Sequence, residues 1–474
     1  MAEAESDEET VKEDGPDRYF TDHSSRENTD MRIDLGDGLI LRESTTDDIE
    51  ALGEFFGKVF AGGNGEPCAY MPGWMADLLG GSHPTVSPSD FTIVEDTNSG
   101  RIVSSCGYVS QIWRYEDIEF SVGQPEPVAT HKDYRRRGLV RKQFDVLHRW
   151  SDERGHLVQA INGIPNYYRR FGYEMTIDKG GGRGGPMHHV PKLGKDETEA
   201  FRVRHATEDD LPFFMEMYDR HTSRLGISCV RDESVWRFDH HGDRKRVTSA
   251  HRIIERMNGD PVGAIAYRME NKAEFSPLNI KLYELTPGVS WLEATPSVLR
   301  WIKSLCAENA ATDTGTDDIE RTHKSWFLFH LVRTHPVFEA IPEKLSEERS
   351  PYAWYIRVPD LPRFIKHITP VLERRLSQSV ACGHSGELKI NFFSDGLRIV
   401  LENGRLAVVE PWQPTVEDQG NTSFPDLTFL HLVFGYRTLD EIKKMYADCS
   451  ANPEQAVILK AMFPKRPSLV WQIR

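Results

Sequence analysis

The chain has 474 residues, of which 39% are hydrophobic and 28% charged, with a net charge of −15. At ~100–200 residues per domain, this length predicts two to four domains, each with its own core. The composition is that of a soluble, folded protein. The acidic balance argues against nucleic acid or an anionic membrane as partner, and no apolar run approaches the ~20 residues of a membrane span.

Residues 1–30 hold eleven acidic and three basic side chains, so about half the excess charge lies in this segment. With few apolar residues it cannot offset its ordering entropy, and a disordered tail is expected. It has no apolar stretch or Arg-rich pattern of a leader, so the expected location is cytoplasmic. The six cysteines (68, 106, 229, 306, 382 and 449) form no CxxC pair, which predicts reduced, structural thiols.

An internal repeat follows. Leu41-Arg-Glu-Ser-Thr-Thr-Asp-Asp-Ile49 and Val203-Arg-His-Ala-Thr-Glu-Asp-Asp-Leu211 each read as a strand end, a cap and a helix start, 162 positions apart. The Thr-x-Asp-Asp step offers side-chain oxygens to the free N–H groups of a first helical turn. Hairpins are predicted downstream of each, around Thr97–Gly100 and Asn258–Pro261. Two copies of one domain are therefore expected, at 31–190 and 195–355. Lys179–Pro186, rich in glycine, reads as a flexible hinge between them. A third, α+β domain is expected over 356–474: a strand at Tyr352–Val358 leads into it, a helix runs from Asp360 to about Leu376, three β-rich segments and two further helices follow, and Ser468–Arg474 reads as a closing strand.

Pro127-Val-Ala-Thr-His-Lys-Asp-Tyr-Arg-Arg-Arg-Gly-Leu-Val-Arg141 runs from a short strand into an amphipathic helix starting at Leu139. A glycine entering a helix lets the backbone approach a ligand, where unpaired N–H groups, the helix dipole and arginines face an anion. This predicts a phosphate or pyrophosphate cradle that is neither a Walker A loop nor a dinucleotide fingerprint. Gly163-Ile-Pro-Asn-Tyr-Tyr-Arg-Arg-Phe-Gly-Tyr-Glu174 lies about thirty residues on.

Together, residues 128–174 resemble the acyl-CoA-binding heart of the GNAT N-acetyltransferases, with a [Q/R]-x-x-G-x-[G/A] loop and a Y-x-x-x-G-[F/Y] segment. Val140 departs from the usual Gly or Ala. In that respect, and in Arg135-Arg-Arg-Gly-Leu-Val-Arg141 and Tyr168-Arg-Arg-Phe-Gly-Tyr173, the chain is similar to the enhanced-intracellular-survival (Eis-like) branch. The resemblance implies an α/β (α+β) chain of tandem GNAT folds plus a C-terminal sterol-carrier-like domain. The second copy has Leu285–Trp291 in place of the cradle, so one active site per chain is expected.

It also implies acetyl transfer from acetyl-CoA to an amine. The pantetheine would pair with Val128, Ala129 and Thr130. The pyrophosphate would sit on the loop of Arg135, Arg136, Arg137, Gly138, Leu139, Val140 and Arg141. Tyr168 would be the acid that protonates the departing thiolate, with Tyr167 its neighbour. The base would be either the carboxylate of Arg474, which in Eis-like enzymes reaches back into the first domain, or Glu126. The implied acceptor is a cationic small molecule or a lysine, and the implied assembly a homo-oligomer, hexameric in the family. Trp74, Met75, Trp113 and Tyr115 read either as acceptor-pocket wall or as core.

Other signals are weaker. Asp239-His-His-Gly-Asp243 and His188-His189 read as polar loops, since consecutive residues rarely face one ion, and no metal is expected. Two other function classes remain open: a lipid carrier, with Phe424–Phe434 lining a tunnel or else packing on a sheet, and a sensor that binds acetyl-CoA without turnover.

Overall fold

The computed structural model describes residues 31–473 except 63–64, 241–248, 270–277, 313–325 and 426; the acidic tail and Arg474 lie outside the described residues. In chain order the strands are β1 (Arg32–Gly36), β2 (Leu39–Glu43), β3 (Phe91–Asp96), β4 (Arg101–Tyr115), β5 (Ile118–Thr130), β6 (Val158–Ile161) and β7 (Glu174–Lys179). Then come β8 (Gly182–Pro186), β9 (Phe201–His205), β10 (Ile227–Cys229), β11 (Ala250–Arg256), β12 (Pro261–Met269), β13 (Leu278–Leu285), β14 (Trp326–Phe329), β15 (Glu347–Arg349) and β16 (Tyr352–Arg357). The helices that matter for the site are α1 (Ile49–Val59), α2 (Met71–Leu79), α3 (Leu139–Glu153) and α4 (Leu211–Thr222).

The first sheet has the order β1-β2-β3-β4-β5-β6-β16-β7, with β10 on β4. The second runs β15-β8-β14-β13-β12-β11-β9. Both are mixed sheets, largely antiparallel with one parallel pair at the centre, β5 with β6 and β13 with β14. Helix α3 covers one face of the first sheet through Phe144, Leu147 and Trp150. Helices α1 and α2 cover the other through Leu52, Phe56 and Leu78.

The repeat is visible atom by atom. Thr45 N donates to Asp48 Oδ2 at 2.8 Å, and Thr207 N to Asp210 Oδ2 at 2.7 Å. Arg42 bridges Asp48 at 2.8 Å and Glu95 at 3.1 Å; Arg204 bridges Asp210 at 2.6 Å and Glu255 at 2.8 Å. Each trio ties a strand, a helix start and the neighbouring strand together. The fold is thus built of tandem GNAT-like sheets.

Two strands cross the expected boundaries. The glycine-rich run at 180–185 is not a hinge: β8 lies between β14 and β15 in the second sheet. In return β16 lies between β6 and β7 in the first sheet, antiparallel to both. The glycines make this possible. A Cβ on Gly182 would sit 1.9 Å from Phe329 O, and one on Gly185 1.9 Å from Lys344 O. Main chain approaches too closely for a side chain.

The remaining chain forms a five-stranded sheet from Gly386–Asn391, Gly396–Glu402, Arg405–Trp412 and two short strands, flanked by helices. The helix expected from Asp360 divides into Leu361–His367 and Thr369–Ser377, with Pro370 in the first turn of the second. Phe424, Phe429, Leu432 and Val433 are buried in a core that also takes in Trp113 and Tyr115 from β4. The Tyr115 hydroxyl donates to Val433 O at 2.6 Å, and Glu116 pairs with Arg375 at 2.7 Å, so this region grips the β4–β5 turn. The last residues form a single bridge, Ser228 to Leu469, rather than a full strand. Among the described residues no helix is long and apolar enough to cross a membrane.

Candidate active site

Strands β5 and β6 pair only at Val122–Val158 and Gly123–Gln159. Beyond that they part, and β5 continues to Thr130 paired with β4 on its other edge. Residues along a strand send their N–H and C=O alternately to opposite edges. Ala129 O accepts from Ser104 Oγ of β4 at 3.1 Å, and His131 N donates to Val103 O at 2.8 Å. Val128 and Thr130 therefore direct theirs to the open edge, where Thr130 O accepts from Arg135 Nε at 3.3 Å.

Helix α3 starts in this opening. Gly138, at its N-cap, has φ +76°, a left-handed conformation that glycine adopts without strain. No side chain caps the helix and its first turn holds no acid. A capping carboxylate would occupy the place of an anion, so an uncapped, basic helix start suits a phosphate. Gln143 holds α3 to the sheet: it accepts from Ser104 Oγ at 2.7 Å and donates to Thr92 O at 3.2 Å. Ser104 Oγ in turn lies 2.8 Å from Thr130 Oγ1. One buried polar chain thus sets the helix start against the end of β5.

A cavity of about 1240 Å³ fills the opening. Val128, Ala129, Thr130, Arg135, Arg136, Gly138, Leu139, Val140 and Arg141 line it, together with Glu126, Tyr167 and Tyr168. Arg137, expected in the cradle, does not; its guanidinium lies 5.0 Å from the Tyr134 ring centroid instead. Trp74 lines the cavity, whereas Met75, Trp113 and Tyr115 are core residues.

Tyr168 stands in a turn of 3₁₀ helix, 6% exposed, stacked on Phe144 and edge-on to Tyr355. Burial first, then the neighbouring Cys106, Tyr167 and Glu126, hold its phenol far above the usual range. It stays protonated, as a proton donor must. A Cβ on Gly163 would come 2.1 Å from Tyr168 Cε2, so the main chain of residue 163 packs directly against the ring. Strand β16 fixes that loop: Tyr352 Oη donates to Gly163 O at 2.8 Å and Tyr355 Oη to Ile164 O at 3.4 Å.

The Glu126 carboxylate ends a run of buried amides. Gln111 donates to Gln124, and Gln124 to Glu126 Oε2. Gln472 also donates to Glu126 Oε2, at 2.7 Å, and Ile473 N donates to Gln111 Oε1 at 3.3 Å. The C-terminal segment therefore does reach the first sheet, as far as residue 473. The expected carboxylate of Arg474 is outside the described residues. Gln472 and Tyr352 carried no sign of a site role in the sequence, because each acts through a partner distant in the chain.

The second copy closes the corresponding opening. Strands β13 and β14 pair only over Leu278–Ile280. Past that point His335 Nε2 donates to Tyr283 O at 2.8 Å, and Arg220 Nε to Leu285 O at 3.1 Å. Trp291 packs on Tyr283 and His335. Two carbonyls of the edge that is open in the first copy are thus engaged here by side chains. His221, Glu284 and His335 place ligand-type atoms within 4.8 Å of one another. His335 has spent both nitrogens, the second accepting from Val337 N at 3.2 Å, and Glu284 is paired with Arg220 and Arg224. The trio is built as a polar core, not as a metal cradle.

A strand pair that parts beside an uncapped helix start leaves an open main-chain edge next to a helix end that favours an anion. In agreement, residues 41–176 match the sequence profile of the acetyltransferase (GNAT) domain, so the chain carries an acetyltransferase domain of that class. Comparison with curated proteins gave no match. Among solved structures, the chain is similar to a conserved protein of unknown function from Enterococcus faecalis, described as a probable N-acyltransferase: 13% identity, TM-score 0.63, covering 92% of this chain and 100% of that one. A GCN5-related N-acetyltransferase from Anabaena variabilis follows at 13% identity and TM-score 0.60, covering 91% and 99%. Eis1 from Mycobacterium abscessus matches at 13% identity and TM-score 0.55, covering 90% and 98%. These likenesses show the fold over nearly the whole chain.

Proposed function

We propose that the protein is an Eis-like N-acetyltransferase, moving an acetyl group from acetyl-CoA to a primary amine at one site per chain. The observation that carries this reading is the opening between β5 and β6, with Val128 N–H directed into it, the uncapped start of α3 at one end and Tyr168 in its wall.

The pyrophosphate lies on the N–H groups of Leu139 to Arg141, helped by Arg135, Arg136 and Arg141. The pantetheine follows the free edge of Val128–Thr130. An alkylammonium has a pKa near ~10, so the amine must lose a proton before it attacks. Glu126, in the same cavity wall, receives that proton. The nitrogen then adds to the thioester carbonyl, and Val128 N–H stabilises the resulting oxyanion. The C–S bond breaks as the tetrahedral centre collapses, and Tyr168 gives its proton to the departing thiolate. The products are the acetamide and CoA.

The tandem sheets and the α+β third region, which we read as sterol-carrier-like, support the Eis-like assignment. Calorimetry with CoA and a thiol-release assay over a panel of amines test it. CoA binding with thiol release is expected; absence of CoA binding to folded protein overturns it.

A further inference from the structure

The cavity at the parting of β5 and β6 is lined from both faces of the first sheet. Leu139 and Val140 line it from the α3 face, where Val128 joins the same core. Val59, Met71 and Trp74 line it from the opposite face, where Ala129 joins the core beneath α1 and α2. Successive strand residues point to opposite faces, so Val128 and Ala129 divide the cavity between them. The proposed donor takes the α3 side, with its pyrophosphate at the helix start and its pantetheine along the β5 edge. The α1–α2 side is left for the acceptor.

That side is apolar. Its described lining is Val59, Phe60, Cys68, Tyr70, Met71 and Trp74, none of them charged. Three large apolar side chains stand where the cavity meets solvent: Phe60 is 42%, Tyr70 45% and Ile164 61% exposed. One exposed apolar residue is ordinary, but several around one hollow mark a surface that binds. Phe60 stacks on Phe56 and Tyr70 leans on Trp74, with ring centroids 6.0 and 6.4 Å apart, so the wall is set in advance.

Charge is confined to the rest of the lining. Glu126 is the single carboxylate among the described lining residues, and the cations Arg135, Arg136, Arg141 and Arg170 come from the cradle and the Tyr168 segment. One ammonium can therefore face a carboxylate, the same one proposed to take its proton. A second ammonium on the α1–α2 side would leave water for a wall of rings and methyl groups. A ring face returns only part of that cost by cation–π attraction.

We propose that the acceptor is a primary monoamine with an apolar alkyl or aryl body, its nitrogen at Glu126 and its body against Phe60, Tyr70 and Trp74. This rests on the acetyltransferase reading, which sets the donor on the α3 side. Within the cationic class implied by the family resemblance, it selects one charge on a hydrophobic frame over a polyamine.

Hexylamine and 1,5-diaminopentane have the same length and differ only in a methyl against a second ammonium. Each is titrated by calorimetry into the full chain saturated with CoA, which fills the donor side without turnover. Saturable binding of hexylamine is expected, with the diamine weaker by about tenfold or more. In the thiol-release assay with acetyl-CoA, kcat/KM should favour hexylamine by a similar factor. A Phe60→Ala variant should bind hexylamine about threefold or more weakly, with CoA affinity and melting temperature matching the parent. The comparison of the two amines on the parent chain stands whether or not that variant folds. Equal or tighter binding of the diamine, no heat with hexylamine, or unaltered hexylamine affinity in folded Phe60→Ala overturns the proposal. Failure of CoA itself to bind, seen in the preceding titration, strikes the acetyltransferase reading and this proposal with it; CoA binding with the diamine preferred strikes the proposal alone.

Discussion

Gln472 donates its side-chain amide to Glu126 across 346 residues of chain, at 2.7 Å. The contact ties the end of the third region to β5, the strand proposed to hold the acyl donor. It also orients the residue proposed as base, since Gln124 donates to the same oxygen. A group that acts as base needs a fixed direction toward the amine as much as a suitable proton affinity.

Glu126→Gln keeps an oxygen that accepts from Gln472 and Gln124 while removing the ability to take a proton. Its kcat is expected to fall about 10²-fold, with CoA affinity and melting temperature within error of the parent. Steady-state kinetics beside calorimetry check this; undiminished turnover transfers the role to another group.

Tyr168→Phe leaves the stack on Phe144 intact and deletes only the hydroxyl. We expect kcat to drop about 10²-fold or more with little change in CoA affinity. Tyr167→Phe serves as the control for the adjacent phenol and should retain most of the activity.

Gly163→Ala places a methyl 2.1 Å from the Tyr168 ring. The ring has no room to yield, being packed on Phe144, Tyr173 and Tyr355. Stability should fall by about 1–3 kcal/mol, as overpacking does, and kcat by at least tenfold while KM for acetyl-CoA stays near that of the parent. Denaturant melts and kinetics measure the two effects separately.

Gly138→Ala acts differently. A Cβ there meets nothing within 4 Å, so the cost is conformational, from φ +76°. About 1–2 kcal/mol is expected, with CoA affinity lowered about tenfold as the helix start shifts from the pyrophosphate. The two glycine variants should thus separate: one loses turnover, the other binding.

Several histidines predict acid sensitivity. Burial pushes His251 and His431 down to about 4 in the folded chain, opposed in part by Asp239 and Glu174 respectively and reinforced by arginines nearby. A free histidine titrates near 6.5, so between about pH 6.5 and 4 the unfolded chain binds more protons than the folded one. Stability is full above about 6.5 and declines as pH falls through that window, by at most about 1.4 kcal/mol per pH unit for each histidine. Melting temperatures at pH 7.5, 6 and 5 should fall in that order.

What was legible in the sequence was local. The Arg135–Arg141 turn and the helix from Leu139 are fixed by neighbours along the chain, and so are the paired Thr-x-Asp-Asp caps. The exchange of β8 and β16 was hidden because a strand's partner is not encoded in its own pattern. Gly182, Gly184 and Gly185 read as a hinge by propensity, yet they sit in the middle of a sheet because neighbouring carbonyls leave space for nothing larger. The approach of Gln472 to Glu126 was likewise invisible, since it depends on the packing of the third region on β4 and β10.

The interleaving of β8 and β16 has a consequence for how this chain can be divided. Cut after residue 190, the amino-terminal piece would forfeit the strand wedged between β6 and β7, together with both tyrosine hydroxyls that anchor the loop under Tyr168. Neither half could be inherited or expressed as a free-standing module; ribosomal synthesis must pass residue 357 before the chemistry-bearing sheet can close.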